Sequence, residues 1–515
     1  PIADLKFGQL ALYFQDEMKI NDRFKLLAGI RVDKAIYLQD PPSNSAIAAK
    51  TFRDMDGQAY TFDVGSWPKG KLLASPRIGF NWDVKGNRDM IVRGGTGIFT
   101  GRLPFVWYTN QPTNSYGLQA TVEVTSAAQL ASMPFNPDPL AYVNMFPQSS
   151  STLPSGASLA IVDKNFVFPQ VWRTSLAMDK RLPWNLLLTV EAIYTKDINA
   201  ILQYNANMNA PDASFTAGPD MRPRFSSSAA RAVDATVREA MVLTNSSKGH
   251  GFSFSTLLSR SFRNGFYGQI SYSFNSTKDL SSNPGSQAAS AWSNINSIRT
   301  SNDIDLALSA YSIPHRVTAV VSYRKEYLNK NMATTISLFY EGMSQGRFFY
   351  RYSNDMNNDG LTNDLMYIPK DRAEAGTLIP DATQADAFWA YLEQDKYLSK
   401  HKGEYAENYG ALLPWLSNID LKLLQDFSIK TGATRHTLQF SVDILNFGNL
   451  LSKNWGYKSQ QVVNNGGLLR YTGMASGVPQ FTFNQVSGNY PTKTFQPVES
   501  VISTWGLQLG LRYSF

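Results

Sequence analysis

Long segments in which apolar and polar residues alternate constrain the fold of this chain more than any other feature. In residues 503–515 the apolar side chains fall on one face of an extended strand and small or polar ones on the other. The apolar face is formed by Trp505, Leu507, Leu509, Leu511, Tyr513 and Phe515. Segments of this kind are about 10–14 residues long, which exceeds the usual strand of about 5–6. They suit tilted membrane strands of about 9–11 residues.

The same alternation recurs along the whole chain, and the charged residues within it fall on the polar face, as at Glu191, Lys422 and Asp443. It predicts strands near 7–20, 23–37, 75–85, 88–100, 169–181, 185–200, 251–262, 266–277, 315–326, 331–343, 416–428, 435–447 and 503–515.

Short and long connections between these strands alternate strictly. The short turns fall at 21–22, 85–87, 182–184, 263–265, 328–330 and 431–433. The long connections are 38–74, 101–168, 201–250, 278–314, 344–415 and 448–502. Outer-membrane barrels are built in this way, with the long loops outside the cell. The sequence therefore predicts an all-β fold, a transmembrane antiparallel up-and-down β-barrel, as a single unit over residues 1–515.

The order of the connections also bears on how the barrel closes. The first and last predicted strands both run towards the short-turn side, so the stretch holds an odd number of strands, here thirteen. A complete single-chain bacterial barrel has an even number. We expect an odd number of further strands, and a signal peptide, on the N-terminal side of Pro1.

Composition narrows the function classes. Charged residues make up 17% and aromatic residues 13%, which suits a surface with aromatic girdles. The net charge is +7, but the sequence has no dense Lys/Arg tract, which argues against nucleic-acid binding. Cysteine is absent, so disulfides and thiolate metal sites are excluded. The four histidines form no metalloprotease-type pair, and we expect no enzyme activity.

One segment has the spacing of a calcium-binding loop. Calcium takes six to eight oxygen ligands, and loop positions 1, 3 and 5 supply three of them, with Gly at position 6. Position 12 is Met366 instead of Glu, so a complete EF-hand is excluded. The alternative is a solvated Asp/Asn/Gly turn. The predicted structural calcium ligands are Asp355, Asn357, Asp359 and Asp364.

Three aromatic clusters in the long connections are candidates for substrate contact, because aromatic rings give a large contact area and Arg adds a bidentate donor. Residues in girdles, or loops packed on loops, would show the same composition. The candidate residues are Trp107, Tyr108, Arg347, Phe349, Tyr350, Arg351 and Trp389. Apolar residues recur at helical spacing within 383–400, which predicts a short lid helix there.

The last strand ends in an aromatic residue. Tyr513 and Phe515 on its apolar face resemble the outer-membrane insertion signal that the barrel assembly machinery reads. The alternative is an ordinary final strand that ends in Phe.

Several segments resemble TonB-dependent outer-membrane receptors. The hairpin 10–33, containing Leu-Ala-Leu-Tyr-Phe-Gln-Asp-Glu, is similar to a mid-barrel hairpin of that family, and 315–323 and 436–448 are similar to later strands. Two further segments, 354–369 (Asn-Asp-Met-Asn-Asn-Asp-Gly) and 401–415, resemble the Oar-like branch of Bacteroidota.

The resemblance implies a barrel of about 22 strands around an N-terminal plug, of which this chain supplies the last thirteen. It also implies import of a substrate bound at the extracellular loops, coupled to the TonB complex through a region outside this sequence. An outer-membrane platform that docks partner proteins and a passive porin-like channel are the alternatives. The expected partners are outer-membrane lipid or lipopolysaccharide, the barrel assembly machinery, and a surface lipoprotein or other protein.

Overall fold

The structure is a computed structural model, and it describes residues 3, 5–116, 118, 124, 126–145, 153–261 and 264–515. Within the predicted turn 263–265, Arg263 lies outside the described residues, as does the predicted strand end at 262. Long alternating segments form one sheet, here called the wall. Its strands are β1 (Phe7–Lys19), β2 (Phe24–Tyr37), β3 (Leu72–Asp83), β4 (Met90–Thr100), β5 (Gln170–Leu182), β6 (Leu186–Asn205), β7 (His250–Ser261), β8 (Phe266–Asp279), β9 (His315–Tyr327), β10 (Met332–Ser344), β11 (Trp415–Thr431), β12 (Thr434–Leu445) and β13 (Gly506–Ser514).

Every strand of the wall is antiparallel to the strands that precede and follow it in this series, and the order across the sheet is the order along the chain. The register of β1 on β2 runs from Phe7 opposite Tyr37 to Lys19 opposite Lys25. In the described residues the wall has the thirteen strands that the alternation predicts. The up-and-down prediction is therefore confirmed, with strand ends shifted by a few residues.

The short turns lie where the sequence predicts them, and their backbone explains the residues found there. The turn between β7 and β8 contains Gly265 at φ 84°. A Cβ at this position would fall 1.9 Å from the carbonyl oxygen of Arg324 on β9, so only glycine fits. Leu328, Asn329 and Lys330 adopt positive φ in the next short turn.

The long connections contain helices and short strands, whereas the sequence predicts only one helix in them, within 383–400. The helices are α1 (Ser45–Ala48), α2 (Val106–Thr113), α3 (Ala127–Ala131), α4 (Ser228–Arg231), α5 (Ala288–Ser293), α6 (Arg372–Leu378), α7 (Ala382–Gln394) and α8 (Phe447–Leu451). Short strands outside the wall cover Phe52–Arg53, Ala59–Tyr60, Ala157–Val162, Ala213–Ser214, Pro223–Arg224, Val237–Ser246, Ala307–Leu308, Arg347–Phe348, Arg351–Tyr352, Ala411–Leu412, Ser459–Gln461, Gly467–Ala475, Val478–Phe483 and Phe495–Pro497. Within the described residues, no helix combines the length and the apolar character needed to cross a bilayer.

Strand β6 continues beyond the wall and organises one group of connections. Its end pairs with Val237–Ser246, and that strand pairs in parallel with Ala157–Val162. Apolar side chains from three connections pack around this extension, among them Ile47, Phe52, Leu159, Ile161 and Val242, together with Tyr204 of β6 itself.

A second group of connections has a core of its own, which we call the loop core. It consists of buried residues from the connections after β10 and β12, joined by Phe215 from the connection after β6. Helices α6 and α7 pack in it, and Tyr352 stacks on Phe481 with ring centroids 4.5 Å apart. The largest fully buried members include Tyr350, Tyr352, Met356, Phe388 and Phe481. The helix predicted within 383–400 is confirmed as α7 and the turn Leu398–Lys400.

Candidate functional site: the polar wall face and the folded connections

One face of the wall is polar and carries paired charges. Arg93 on β4 lies 3.1 Å from Asp179 on β5 and 3.7 Å from Glu191 on β6. On the later strands, Arg324 contacts Asp426 at 2.7 Å. Alternation places these side chains on one side because successive residues of a strand point to opposite faces. Charges that partner one another across strands create a hydrophilic surface along the inside of the predicted barrel.

The opposite face of the wall is apolar and open. Leu176, Ile270 and Val321 expose 56%, 50% and 52% of their surface although each lies within a strand. Monomeric soluble proteins rarely expose a contiguous apolar surface of this kind. A face of alternating apolar side chains on long strands is what lipid contact requires.

A cavity of about 550 Å³ lies on the polar side of β5 to β8, near the ends of those strands that carry long connections. The register places Arg173 opposite Thr195, and Thr195 opposite Gly251, so one row of neighbouring positions runs through its lining. Asp197 and Asp279 add two carboxylates, one at each side of this row. The sequence analysis did not single out these residues. Their signal was the alternation itself, which places odd-numbered polar positions of four adjacent strands on one face near the long connections.

A second cavity, of about 570 Å³, lies among the connections themselves. Its lining is mainly polar and comes from α2 and the residues after it, from the strands Ala157–Val162 and Val237–Ser246, and from the start of α5. The polar residues include Asn110, Asn114, Tyr116, Arg238, Glu239 and Gln287. Both cavities are within the range of small-molecule sites, roughly 300–1,000 Å³.

The first aromatic cluster lies on α2, where neighbouring residues have different surroundings. Tyr108 is fully buried, and its hydroxyl is 2.6 Å from the hydroxyl of Tyr37. Burial raises the pKa of Tyr108 well above its ordinary value, so this hydroxyl stays protonated. Trp107 is half-buried, and its ring nitrogen donates to the carbonyl of Gly285 at 3.2 Å. A ligand therefore has access to Trp107 but not to Tyr108.

The second cluster alternates between core and surface. Tyr350 is fully buried, and its hydroxyl donates to Asp395 at 2.6 Å. The residues Arg347, Phe349 and Arg351 stay half-buried, and the Arg351 guanidinium lies 5.6 Å from the centre of the Phe349 ring. Tyr350 thus packs loop on loop, as the alternative interpretation expects. Period-2 alternation within 347–352 was the sequence signal for this division.

The third cluster lies on α7, whose buried face is formed by Ala385, Phe388, Tyr391 and Leu392. Trp389 is half-buried, and the ammonium group of Lys402 lies 4.9 Å from its ring centre. The Asp381 side chain caps α7 by accepting from the backbone N–H of Gln384 at 2.9 Å. This cap and the buried face hold Trp389 near the surface of the loop core.

A fully buried ion pair lies where the connection after β6 meets the loop core. Two nitrogens of Arg222 donate to the two carboxylate oxygens of Asp220, each at 2.9 Å. The hydroxyls of Tyr352 and Tyr405 also donate to Asp220, each at 3.0 Å. Burial acts to lower the pKa of Arg222, but Asp220 and its other neighbours raise it above its ordinary value. The guanidinium therefore remains charged, and four hydrogen bonds from side chains converge on Asp220.

The calcium-like segment 355–364 is a tight turn of mutual hydrogen bonds. The two carboxylate oxygens of Asp355 accept from the backbone N–H groups of Asn358 and Gly360, at 2.7 and 2.8 Å. One oxygen of Asp364 accepts from the N–H of Met356 at 2.9 Å. Gly360 adopts φ 88°, as the turn at this loop position requires.

Negative charge accumulates in this turn. Burial raises the pKa of Asp359 to about 7, and repulsion from Asp355 contributes. Burial also raises the pKa of Asp364 well above its ordinary value, although Arg222 lies 3.6 Å away. In the part of the chain that the structure describes, no group of three or more His, Asp or Glu side chains is arranged to hold a metal ion. Any calcium ligation would therefore need amide or backbone oxygens besides the carboxylates, as from Asn357.

The C-terminal residues lie on the apolar face of the wall. Tyr513 pairs with Leu438 of β12, and its hydroxyl is 2.7 Å from a ring nitrogen of His436. Phe515 is 85% exposed, beyond the last residue of β13. Both side chains point to the apolar side, as the alternation predicts.

Comparison with known proteins adds family-level information. A family model described as an outer membrane beta barrel domain matches residues 2–473. Comparison with curated proteins gives no match.

Solved structures of transporters and receptors are similar to the chain. The outer membrane transporter YddB from Escherichia coli is 12% identical with a TM-score of 0.47, and the match covers 99% of this chain and 45% of that one. The siderophore receptor PiuA from Acinetobacter baumannii is 9% identical with a TM-score of 0.36, over 86% of this chain and 39% of that one. The copper transporter OprC is 7% identical with a TM-score of 0.40, over 95% and 46%. The chain spans about half the length of these structures or less.

Proposed function

Since this chain belongs to the family of outer membrane beta barrel domains, we propose that it is the wall and loop region of a TonB-dependent importer. A substrate binds at the long connections, which face outside the cell, and passes along the polar face of the wall. The resemblance of 354–369 and 401–415 to Oar-like proteins of Bacteroidota supports that branch. A plug and the TonB complex supply the gating and the energy in such receptors.

The cavity beside β5 to β8 is the observation that carries this proposal. It lies on the polar side of the wall, and it is lined by both signs of charge, Arg173 against Asp197 and Asp279. A solute that leaves the connections for the barrel interior meets this surface at the rim. Convergent polar groups of opposite sign suit a polar or zwitterionic solute. The half-buried residues Trp107 and Trp389 are proposed as further contacts nearer the surface.

The test is nutrient uptake in a strain that carries the full-length protein as its only route for a given nutrient. We expect deletion of TonB to abolish uptake. The double variant Asp197→Asn/Asp279→Asn should lower uptake several-fold at limiting substrate, while the surface change Asp386→Asn on α7 should leave uptake unchanged.

Two outcomes would contradict the import proposal. If uptake of every nutrient tested survives the loss of TonB, while the cell envelope fails without the protein, the platform alternative replaces transport. If uptake persists and rises linearly with concentration, the passive channel replaces it.

We also propose a structural calcium ion in the loop core, held by Asp355, Asn357, Asp359 and Asp364 with backbone carbonyls. The observation that favours it is the buried carboxylate charge, since two negative groups in a low-dielectric site need a cation or a proton. Calcium accepts carboxylate, amide and carbonyl oxygens together. Its role would be to hold the turn against the rest of the loop core.

Partners of the wall follow from its place in the outer membrane. The apolar face contacts lipid or lipopolysaccharide, and Tyr513 and Phe515 are proposed as the signal for the barrel assembly machinery. A surface lipoprotein that covers the connections is the proposed protein partner.

A further inference from the structure

An outward-facing pocket lies where β11 begins and the segment 446–459 folds back beside the wall. Its volume is about 420 Å³, and its lining is mostly aromatic and aliphatic. The wall contributes Trp415, Ser417 and Ile419, and the returning segment contributes Gly448, Trp455 and Tyr457. None of these residues was singled out for the import route, which runs along the opposite face.

Local backbone geometry forms this pocket without a ligand. Asn446 adopts a left-handed conformation, φ 51°, and turns the chain sharply at the end of β12 into α8. Its side-chain amide donates to the carbonyl of Gly456 at 2.8 Å. Gly456 has φ 64°, and a Cβ there would fall 1.9 Å from the Asn446 side-chain oxygen. Asn449 then donates to the carbonyl of Trp455 at 2.9 Å, which holds the backbone at this lining residue.

The register assigns the pocket to the apolar side of the wall. Ser417 pairs with Gly342 and Ile419 with Tyr340. Ser417 and Ile419 are an even number of residues from Leu423, so all three lie on the apolar face of β11. Trp415 and Trp455 expose about half of their surface, 46% and 55%. The pocket is therefore continuous with the lipid-contacting face and opens at its upper edge. Tryptophan is the residue that accumulates at such membrane interfaces.

Exposed apolar and basic residues adjoin the lining residues along the segment 446–459. Leu450 and Leu451 are exposed on α8, which contains the lining residue Gly448. Lys453 and Lys458 are exposed in the same segment, and the sequence 446–459 contains no acidic residue. Lys453 precedes the lining residue Asn454, and Lys458 lies between the lining residues Tyr457 and Ser459. An apolar slot with two lysines next to its lining residues matches the chemistry of an acyl chain with an anionic headgroup.

We propose that this pocket binds one acyl chain of an outer-leaflet lipid, with the anionic headgroup beside Lys453 and Lys458. The proposal uses only the orientation given under Proposed function, with the long connections outside, and it does not depend on transport. Binding in this pocket differs from general lipid contact. The pocket retains one lipid molecule, whereas lipids on the rest of the apolar face, the smooth wall, exchange freely.

The test uses the full-length protein in nanodiscs that contain phosphatidylglycerol with a photoreactive diazirine on its acyl chain. After illumination, mass spectrometry maps the labelled residues. We expect labelling to concentrate on 415–419 and 448–457, well above the labelling around Ile270, an equally exposed apolar residue on the smooth wall. Unlabelled lipid A added to the discs should compete for the pocket and lower its labelling.

Variants separate binding from general lipid contact. Gly448→Leu should abolish pocket labelling by filling the slot, since a Cβ there makes only ordinary contact with Trp455, at 3.7 Å. Lys453→Gln/Lys458→Gln should lower labelling by the anionic lipid, and Ile270→Ala should leave it unchanged. Nutrient uptake should be normal in Gly448→Leu, so failure of this proposal is distinguishable from failure of the import proposal. Equal labelling of the pocket and the smooth wall, or unchanged labelling in Gly448→Leu, would overturn the proposal. An unlabelled pocket that a copurifying lipoprotein covers would overturn it in favour of protein docking.

Discussion

Buried charges make the loop core sensitive to solution conditions at the scale of single residues. Asp359 has a pKa of about 7 in the folded chain, against 3.8 for an ordinary aspartate. At a pH between these two pKa values, the Asp359 carboxyl is protonated in the folded chain and ionised in the unfolded chain. The stability of the loop core should therefore fall as pH rises from about 4 to about 7.

Calcium should reverse this loss, because it replaces the proton as the compensating charge. We expect millimolar calcium to raise the melting temperature of the loop core at pH 8 and to have little effect at pH 5, as measured by differential scanning calorimetry with calcium and with EGTA. Asp359→Asn should weaken both the pH dependence, to which the raised pKa of Asp364 also contributes, and the calcium response. Asp386→Asn on the exposed side of α7 should keep them. A melting temperature that ignores calcium at pH 8 would exclude the structural ion.

The ion pair Arg222–Asp220 gives a second prediction at this scale. Arg222→Met leaves Asp220 and Asp364 without their guanidinium in a fully buried site, which should cost about 3–5 kcal/mol of loop-core stability. Hydrogen exchange of amides in 350–368 measures this cost directly. Arg372→Met is the matched control, since Arg372 pairs with the exposed Asp386 and should lose only about 0–1 kcal/mol. Equal effects of both substitutions would contradict the assignment.

At the scale of elements, the wall strands were predictable because the two-residue alternation of apolar and polar side chains is enough to identify them. Alternation fixes both the existence of a strand and the faces of its residues, so the register of β9 on β10 leaves Val321 outside and Val320 inside. Strand ends were less predictable. The strand predicted to end at 200 continues as β6 to Asn205, because another connection supplies the pairing partner Val237–Ser246. That partner lies beyond any local pattern.

Adjacent residues of β9 provide a test of the two faces. Val321→Arg should destabilise the folded barrel by about 2–4 kcal/mol, because the charge enters lipid near the middle of the strand. Val320→Arg should cost much less, since the side chain enters the polar interior. Denaturant titration of the protein in lipid vesicles gives both values. Similar costs at the two positions would mean that the faces are misassigned.

At the scale of the whole molecule, the folded connections were the main surprise. Segments such as 344–415 were predicted as long loops, with only the helix in 383–400 recognised. The loop core depends on contacts between segments that are distant in sequence, such as the stacking of Tyr352 on Phe481. The residue pattern of one segment does not indicate which other segment it contacts. For the same reason the burial of Tyr108 was not visible in the sequence, whereas the alternation within 347–352 separates Tyr350 from its half-buried neighbours. Alternation likewise indicates which face the cavity-lining residues share, but not that a cavity forms there.

The orientation of the molecule can be tested with single cysteines, because the sequence contains none of its own. Asp56→Cys lies at an exposed turn of the connection after β2, and Ala433→Cys lies at the short turn between β11 and β12. A membrane-impermeant maleimide should label Asp56→Cys on intact cells. It should label Ala433→Cys only after the outer membrane is permeabilised. The reverse pattern would invert the proposed orientation.

The loop core joins three connections that are separated by wall strands, including the parallel pairing of Arg351–Tyr352 with Gly467–Leu469. In the proposed orientation, each of these connections crosses the outer membrane before it folds. The core nucleates only after the last of them has emerged, on a cell surface without ATP-driven chaperones. Its maturation is therefore a late, spontaneous step, and a protease added outside the cell should distinguish newly inserted barrels from mature ones.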